Sequence, residues 1–122
     1  MATVRYLVND VDAALPFYEA LGFKVKERWG PPFVMLARDD LTLWLSGPGT
    51  SASKVLPTGA TPEPGGWNRF VLEVSDLNAS IAALRSTGAR FRSEPVQGPG
   101  GRQALAEDPS GNPVELFEPA NG

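Results

Sequence analysis

Apolar and polar positions follow the same order twice along the chain. In the first pass, residues 3–8, Thr-Val-Arg-Tyr-Leu-Val, form an apolar-rich strand that stops at Asn9 and Asp10. Behind it Val11, Ala14, Leu15, Tyr18 and Leu21 recur at the spacing of one helix face, and Gly22 stands where a left-handed C-cap is needed. Asp10 is placed to accept from the free N–H groups of the first helical turn. Pro16 is awkward inside such a helix. It predicts a kink, or a late start with Asp12 as the cap, which would bring the proline near the first turn. A further strand is expected over residues 23–29. Residues 33–38 and 41–46 then read as a hairpin across Asp39-Asp40.

In the second pass the pattern recurs at an offset of 66 with no gap: Val8 matches Val74, Asp10 matches Asp76, Ala13 matches Ala79, Leu15 matches Ile81 and Gly22 matches Gly88. Residues 69–75 are the strand, and Leu77, Ile81 and Leu84 mark the buried face of a helix over 77–87. Strands follow at 89–93, 103–107 and 113–117. The last two are joined by Asp108-Pro109-Ser110-Gly111-Asn112, a run of turn-forming residues. Residues 47–66 are rich in Gly, Ser, Thr and Pro, the composition of a linker or of a loop that covers a cleft. Two copies are too few for a solenoid. The pattern predicts an α+β fold in one domain, 1–122, with one βαβββ module over 1–46, a linker over 47–66 and a second module over 67–122.

Composition narrows the chemistry. A chain of 122 residues supports one compact domain, and a net charge of -3 without a basic run argues against a nucleic-acid partner. No cysteine is present, which removes disulfides, thiolate metal sites and thiol nucleophiles. No histidine is present either, so the commonest metal ligand and the commonest general base are both missing. Residues 1–6 read directly as a strand, with no charged segment and apolar segment of a leader, and no apolar run approaches ~18 residues. The expectation is a cytoplasmic protein with no membrane partner. Gly98-Pro99-Gly100-Gly101 lacks the Lys-Ser/Thr tail and following helix of a phosphate loop and reads as a flexible loop over the cleft.

The segments VNDVDAALPFYEALGF, FVLEVSDLNASIAALRSTGARF and EDPSGNPVELFEP resemble the vicinal oxygen chelate superfamily, in its glyoxalase and bleomycin-resistance branch. The resemblance covers nearly the whole chain, and the turn before the last strand is its most specific part. It implies paired βαβββ modules in pseudo-two-fold arrangement, with curled mixed sheets around a cleft and helices on the outside, completed by a homodimer. Metal-using members carry His, Glu or Gln at equivalent strand positions of the two modules. Here those positions hold Thr3, Trp44, Arg69 and Glu115. Only Glu115 has a ligand side chain; Trp44 has no usable lone pair and Arg69 is a fixed cation. The expectation is therefore no metal and no cofactor, with an Arg69–Glu115 ion pair in the metal's place. Metal-free members include antibiotic-binding resistance proteins, so the resemblance implies sequestration of a small molecule without chemistry.

With Arg69 and Glu115 facing the cleft, strand alternation assigns the rest. Thr3, Arg5, Leu7, Thr42, Trp44, Val71, Glu73 and Phe117 share that face, with Phe33, Met35, Gln103 and Leu105 as further cleft positions. Val4, Tyr6, Val8, Val34, Leu36, Leu43, Leu45, Phe70, Leu72, Val74, Val114 and Leu116 point to the core. The predicted ligand site is Arg5, Leu7, Phe33, Met35, Trp44, Trp67, Arg69, Val71, Gln103, Leu105, Glu115 and Phe117, with Trp67 at a rim and Trp29 at another beside Pro31-Pro32. Such a lining suits a hydrophobic aromatic ligand. No catalytic residue is assigned. The competing readings are a metal-free enzyme, with Glu115 or Glu73 as base and Arg69 on an oxyanion, and a metal-dependent lyase, isomerase or dioxygenase.

Overall fold

The two sequence copies fold as two mixed sheets, in a computed structural model that describes residues 2–120. The first copy supplies β1 (Val4–Leu7), helix α1 (Val11–Ala20), β2 (Lys24–Arg28), β3 (Phe33–Arg38) and β4 (Leu41–Ser46). Its sheet runs β1-β4-β3-β2, with β1 parallel to β4 and the other pairs antiparallel. The second copy supplies β5 (Val71–Glu73), helix α2 (Leu77–Arg85), β6 (Arg90–Phe91), β7 (Val96–Gly98), β8 (Gly101–Glu107) and β9 (Pro113–Pro119). Here β5 lies parallel to β9, β9 pairs with β8, and β6 and β7 both pair with β8. The second strand of the repeat is thus one element in the first copy and two short ones in the second. The fold is α+β. No helix among the described residues is long and apolar enough to cross a membrane.

The period-two alternation sorts the faces as expected. Val34, Leu36, Leu43 and Leu45 are fully buried, as are Ala106, Val114 and Leu116 at the matching places of the second sheet. These join Phe17 and Tyr18 of α1 and Leu77, Ile81 and Leu84 of α2 in one apolar cluster that draws on both halves. Each such Val or Leu side chain stabilises the fold by about 1.5–3 kcal/mol relative to leaving it in water. The helices cover this face, so the opposite face of each sheet is left for a ligand.

Helix α1 starts at Val11, not late. Asp10 is extended, and its Oδ1 accepts from the N–H groups of Asp12 (2.9 Å) and Ala13 (3.3 Å), so the first turn is already capped. Asp12 is unavailable for that role because its carboxylate pairs with Arg28 at 2.8 Å. Pro16 lies inside the helix, exposed, and needs no delayed start. Asp76 caps α2 in the same way through Ala79 N (3.1 Å).

Residues 98–101 also depart from expectation. They are the turn of a β7–β8 hairpin, with Gly98 paired to Gly101, and not a loop over the cleft. Gly101 has φ +149°, and a Cβ there would collide with the Glu118 carbonyl oxygen on the adjoining strand. Close approach of backbones is what the glycine permits here.

The Asp108–Asn112 turn joins the halves. Asp108 Oδ1 accepts from the backbone N–H groups of Ser110 and Asn112, and Oδ2 accepts from the Tyr18 hydroxyl (2.7 Å) and Asn112 Nδ2 (3.0 Å). Asn112 Nδ2 also donates to Leu7 O of β1 (2.6 Å), while its Oδ1 accepts from Gly65 N of the linker (2.8 Å). One buried amide therefore ties the last hairpin to the first strand and to the segment between the modules.

Candidate functional site

Cross-strand register lays the predicted site residues out in rows. On the first sheet Arg5, Trp44 and Met35 stand side by side, and Leu7, Ser46 and Phe33 form the next row. On the second sheet the corresponding rows are Val71, Glu115 and Leu105, then Glu73, Phe117 and Gln103. The two sheets thus present equivalent rows with different chemistry. The first is aromatic and apolar with one cation; the second centres on a carboxylate.

Arg5, Phe33, Met35 and Trp44 come together in a cavity of about 380 Å³. Phe33 packs edge-on against Trp44, with centroids 5.6 Å apart and planes at 81°. Trp29 continues the series, its ring 6.0 Å from Phe33, and is 62% exposed at the rim. The Arg5 guanidinium lies over the Trp44 ring, 5.2 Å from its centroid. Such edge-to-face and cation–π contacts hold the rings in place without filling the space between them.

The rim is fixed from the helix side. Arg28 Nε and Nη2 donate to the carbonyls of Gly30 (3.2 Å) and Pro31 (2.9 Å), and its remaining nitrogen pairs with Asp12 of α1. That guanidinium holds the Asp12 carboxyl below the usual carboxylate range. Across the mouth, Gly47 N donates to Pro32 O at 2.7 Å, bringing the first turn of the linker, Thr50 and Ser51, to the cavity edge.

On the second sheet Arg69 Nε and Nη2 both donate to Oε1 of Glu115, at 3.0 and 2.8 Å, and Nη1 donates to Trp67 O at 3.3 Å. Glu115 is 9% exposed, whereas Val71 beside it is 52% exposed. Gln103, Leu105 and Phe117 are half-buried on the same face. Trp67 stands apart and is largely exposed, its ring 4.4 Å beneath the Arg92 guanidinium.

The cavity is walled by residues 5–51 alone. Of the twelve predicted residues it gathers four; Leu7 shares the face of Arg5 without lining the space, and the others sit on or beside the second sheet. A larger groove, about 530 Å³ between α1 and the 108–111 turn, is lined by Arg90, Glu107 and Ser110 among others and holds none of the predicted residues. Ser46 and Arg92 carry roles that the sequence pattern does not point to, as do Thr50 and Ser51 at the cavity edge. Ser46 follows Trp44 by two positions, so alternation reaches it, but a serine ending a strand reads as the start of a turn. Arg92 bonds Glu107 (2.8 Å), Gly66 O (2.8 Å) and Gly111 O (3.0 Å), a role no local pattern announces.

The donor set at the superfamily's ligand positions does not fit a divalent ion. Trp44 and Arg69 cannot ligate, and Oε1 of Glu115 is engaged twice by Arg69. Among the described residues no three His, Cys, Asp or Glu side chains converge.

The chain resembles solved structures over almost its full length. A glyoxalase-related enzyme from Fulvimarina pelagi superposes with a TM-score of 0.80 at 18% identity, covering 97% of this chain and 86% of that one. Lactoylglutathione lyase from Agrobacterium tumefaciens gives 0.70 at 20% identity, covering 97% and 92%. TnmS3, an antibiotic binding protein from Streptomyces sp. CB03234, gives 0.65 at 26% identity, covering 98% and 97%. No curated protein is similar enough to match the chain. The family model that matches, over residues 1–116, is Glyoxalase, so the chain belongs to the Glyoxalase/Bleomycin resistance protein/Dioxygenase superfamily.

Proposed function

We propose that this chain binds and sequesters an apolar aromatic small molecule, an antibiotic natural product, without a metal and without transforming it. The observation that carries the reading is the aromatic wall of the first sheet: Trp44, at a position where the family resemblance implies a metal ligand, opens with Phe33 and Met35 onto an apolar cavity. The Arg69–Glu115 pair at the corresponding place on the second sheet supports it, since it leaves one ionic dipole where a divalent charge would otherwise sit. TnmS3 is an antibiotic binding protein, and the 26% identity it shares with this chain favours the same class of role.

The cavity is open on one side, and the equivalent rows of the second sheet lie elsewhere on the chain. We infer a two-fold homodimer in which the second-sheet face of a partner chain closes over the first-sheet cavity, placing Arg69 and Glu115 of one chain opposite Trp44 of the other. Light scattering is expected to give twice the 13.0 kDa chain mass.

The binding claim is tested by tryptophan fluorescence titration with bleomycin-, mitomycin- and enediyne-type compounds. The expected result is saturable quenching with Kd below about 1 μM for one class, and a compound recovered chemically unchanged after long incubation. No quenching by any class, or conversion of the compound, would refute the reading.

A further inference from the structure

Among the described residues one buried side-chain oxygen has no hydrogen-bond partner: Ser46 Oγ. Ser46 ends β4 on the face of Trp44, sits between Leu7 and Phe33 in its row, and lines the aromatic cavity while being only 1% exposed. The polar groups beside it in sequence and at the cavity edge bond to other partners. The Ser46 carbonyl accepts from Val8 N (3.0 Å), the Thr50 hydroxyl donates to Gly47 O (2.7 Å), and Gly47 N donates to Pro32 O (2.7 Å). The position is specific to this half of the fold, because the equivalent place on the second sheet holds Phe117.

A hydroxyl left unpaired in apolar surroundings destabilises the fold it sits in, and a ligand that supplies the missing partner removes that penalty. We infer that Ser46 is a specificity-determining residue that hydrogen-bonds an oxygen substituent, hydroxyl or carbonyl, on an aromatic ring held against Phe33 and Trp44. A serine hydroxyl both donates and accepts, so either oxygen group satisfies it. The same contact favours such a ring over a bare hydrocarbon, which leaves the already buried hydroxyl without a partner. The inference rests on the aromatic-binding reading above and names the ligand class for it.

The test is an NMR titration of the full chain with naphthol and with naphthalene, following the indole N–H signals of Trp29, Trp44 and Trp67. Naphthol is expected to bind roughly tenfold more tightly than naphthalene, the ratio of one hydrogen bond relieving a buried unpaired group. In S46A that preference disappears while naphthalene affinity holds, and the thermal midpoint stays level or rises because the unpaired group is gone. S46C, which keeps the size and a weak donor, retains part of the preference. If neither compound shifts the Trp44 signal, the aromatic-binding reading fails. If both bind but the preference is absent in the parent chain or survives in S46A, the role of Ser46 fails and the binding reading stands. A clear drop in the midpoint of S46A would likewise overturn it, by showing the hydroxyl already bonded within the fold.

Discussion

Replacing Asn112 by alanine tests whether one side chain couples the two modules. The amide is 3% exposed and makes three hydrogen bonds: to Leu7 O of the first module, to the Asp108 carboxylate beside it, and from Gly65 N of the linker. The bond to the carboxylate is worth about 1.5–3 kcal/mol and each of the others about 0.5–1.5, so their loss sums to about 2.5–6 kcal/mol. Domains of this size are stable by about 5–15 kcal/mol, and the variant is expected to lose about a sixth of that margin or more. In thermal unfolding the corresponding fall is roughly 10–20 °C. Urea titration followed by circular dichroism should show a lower midpoint with an unchanged slope, because the folded core and the unfolded chain expose the same surface as before. Ser110→Ala is the matched control. It removes only the acceptor of the exposed Asn9 N–H (2.8 Å) and should cost under about 1 kcal/mol. Equal losses in the two variants would show that Asn112 is not the side chain that couples the modules.

Further predictions concern charge and backbone. The chain's two tyrosines, Tyr6 and Tyr18, both resist ionisation: burial pushes Tyr6 up to about 12, and burial followed by the Asp108 carboxylate raises Tyr18 well above the ordinary value. The folded state keeps protons that the unfolded chain releases above about pH 10, so stability falls as pH rises through that value. Tyrosinate absorbance should therefore appear together with unfolding, and an ordinary titration at about pH 10 in the folded chain would contradict the burial. Asp12 behaves oppositely. Its hydrogen bond and attraction to Arg28 lower its pKa, so the pair stabilises the fold above the unfolded carboxylate value and is lost as pH falls through the lowered one. Side-chain carboxyl NMR should find Asp12 back in the ordinary range in Arg28→Ala. Gly101→Ala drives a Cβ into the Glu118 carbonyl and should cost more than about 3 kcal/mol or prevent folding, whereas Gly59→Ala, in open space at φ +87°, should cost only the left-handed backbone strain of about 1–2 kcal/mol by the same urea assay.

Much of this was legible because two periodicities and two caps are local properties. Asp10 and Asp76 precede their helices and accept from first-turn N–H groups, and the alternation that sorts Leu43 and Leu45 from Trp44 holds in the burial. The Arg69–Glu115 pairing followed from the same alternation plus the superfamily positions. What escaped depended on contacts distant in sequence. β7 is a strand because it pairs with β8 across a glycine turn, and Val-Gln-Gly carries no period long enough to show it. The place of Trp67 after two glycines suggests a rim, yet its ring lies under the Arg92 guanidinium, a contact remote in sequence. Alternation also says which side chains share a face but not whether the faces of two sheets meet, so it suggests one cleft where the chain carries two sets of rows.

The broken second strand of the second sheet bears on how the repeat arose. Equivalent positions stand 66 apart at Arg5 and Val71, 70 apart at Met35 and Leu105, and 71 apart at Trp44 and Glu115. If the halves descend from one duplicated segment, the net insertion fell in the edge region around β6 and β7 and in the final turn, and never within a row of paired residues. Natural indels, and by extension grafted peptides or labels, should be accepted around Ser93 and Glu94 far more readily than anywhere along β4 or β9. The paired rows keep their length in both halves while their side chains differ.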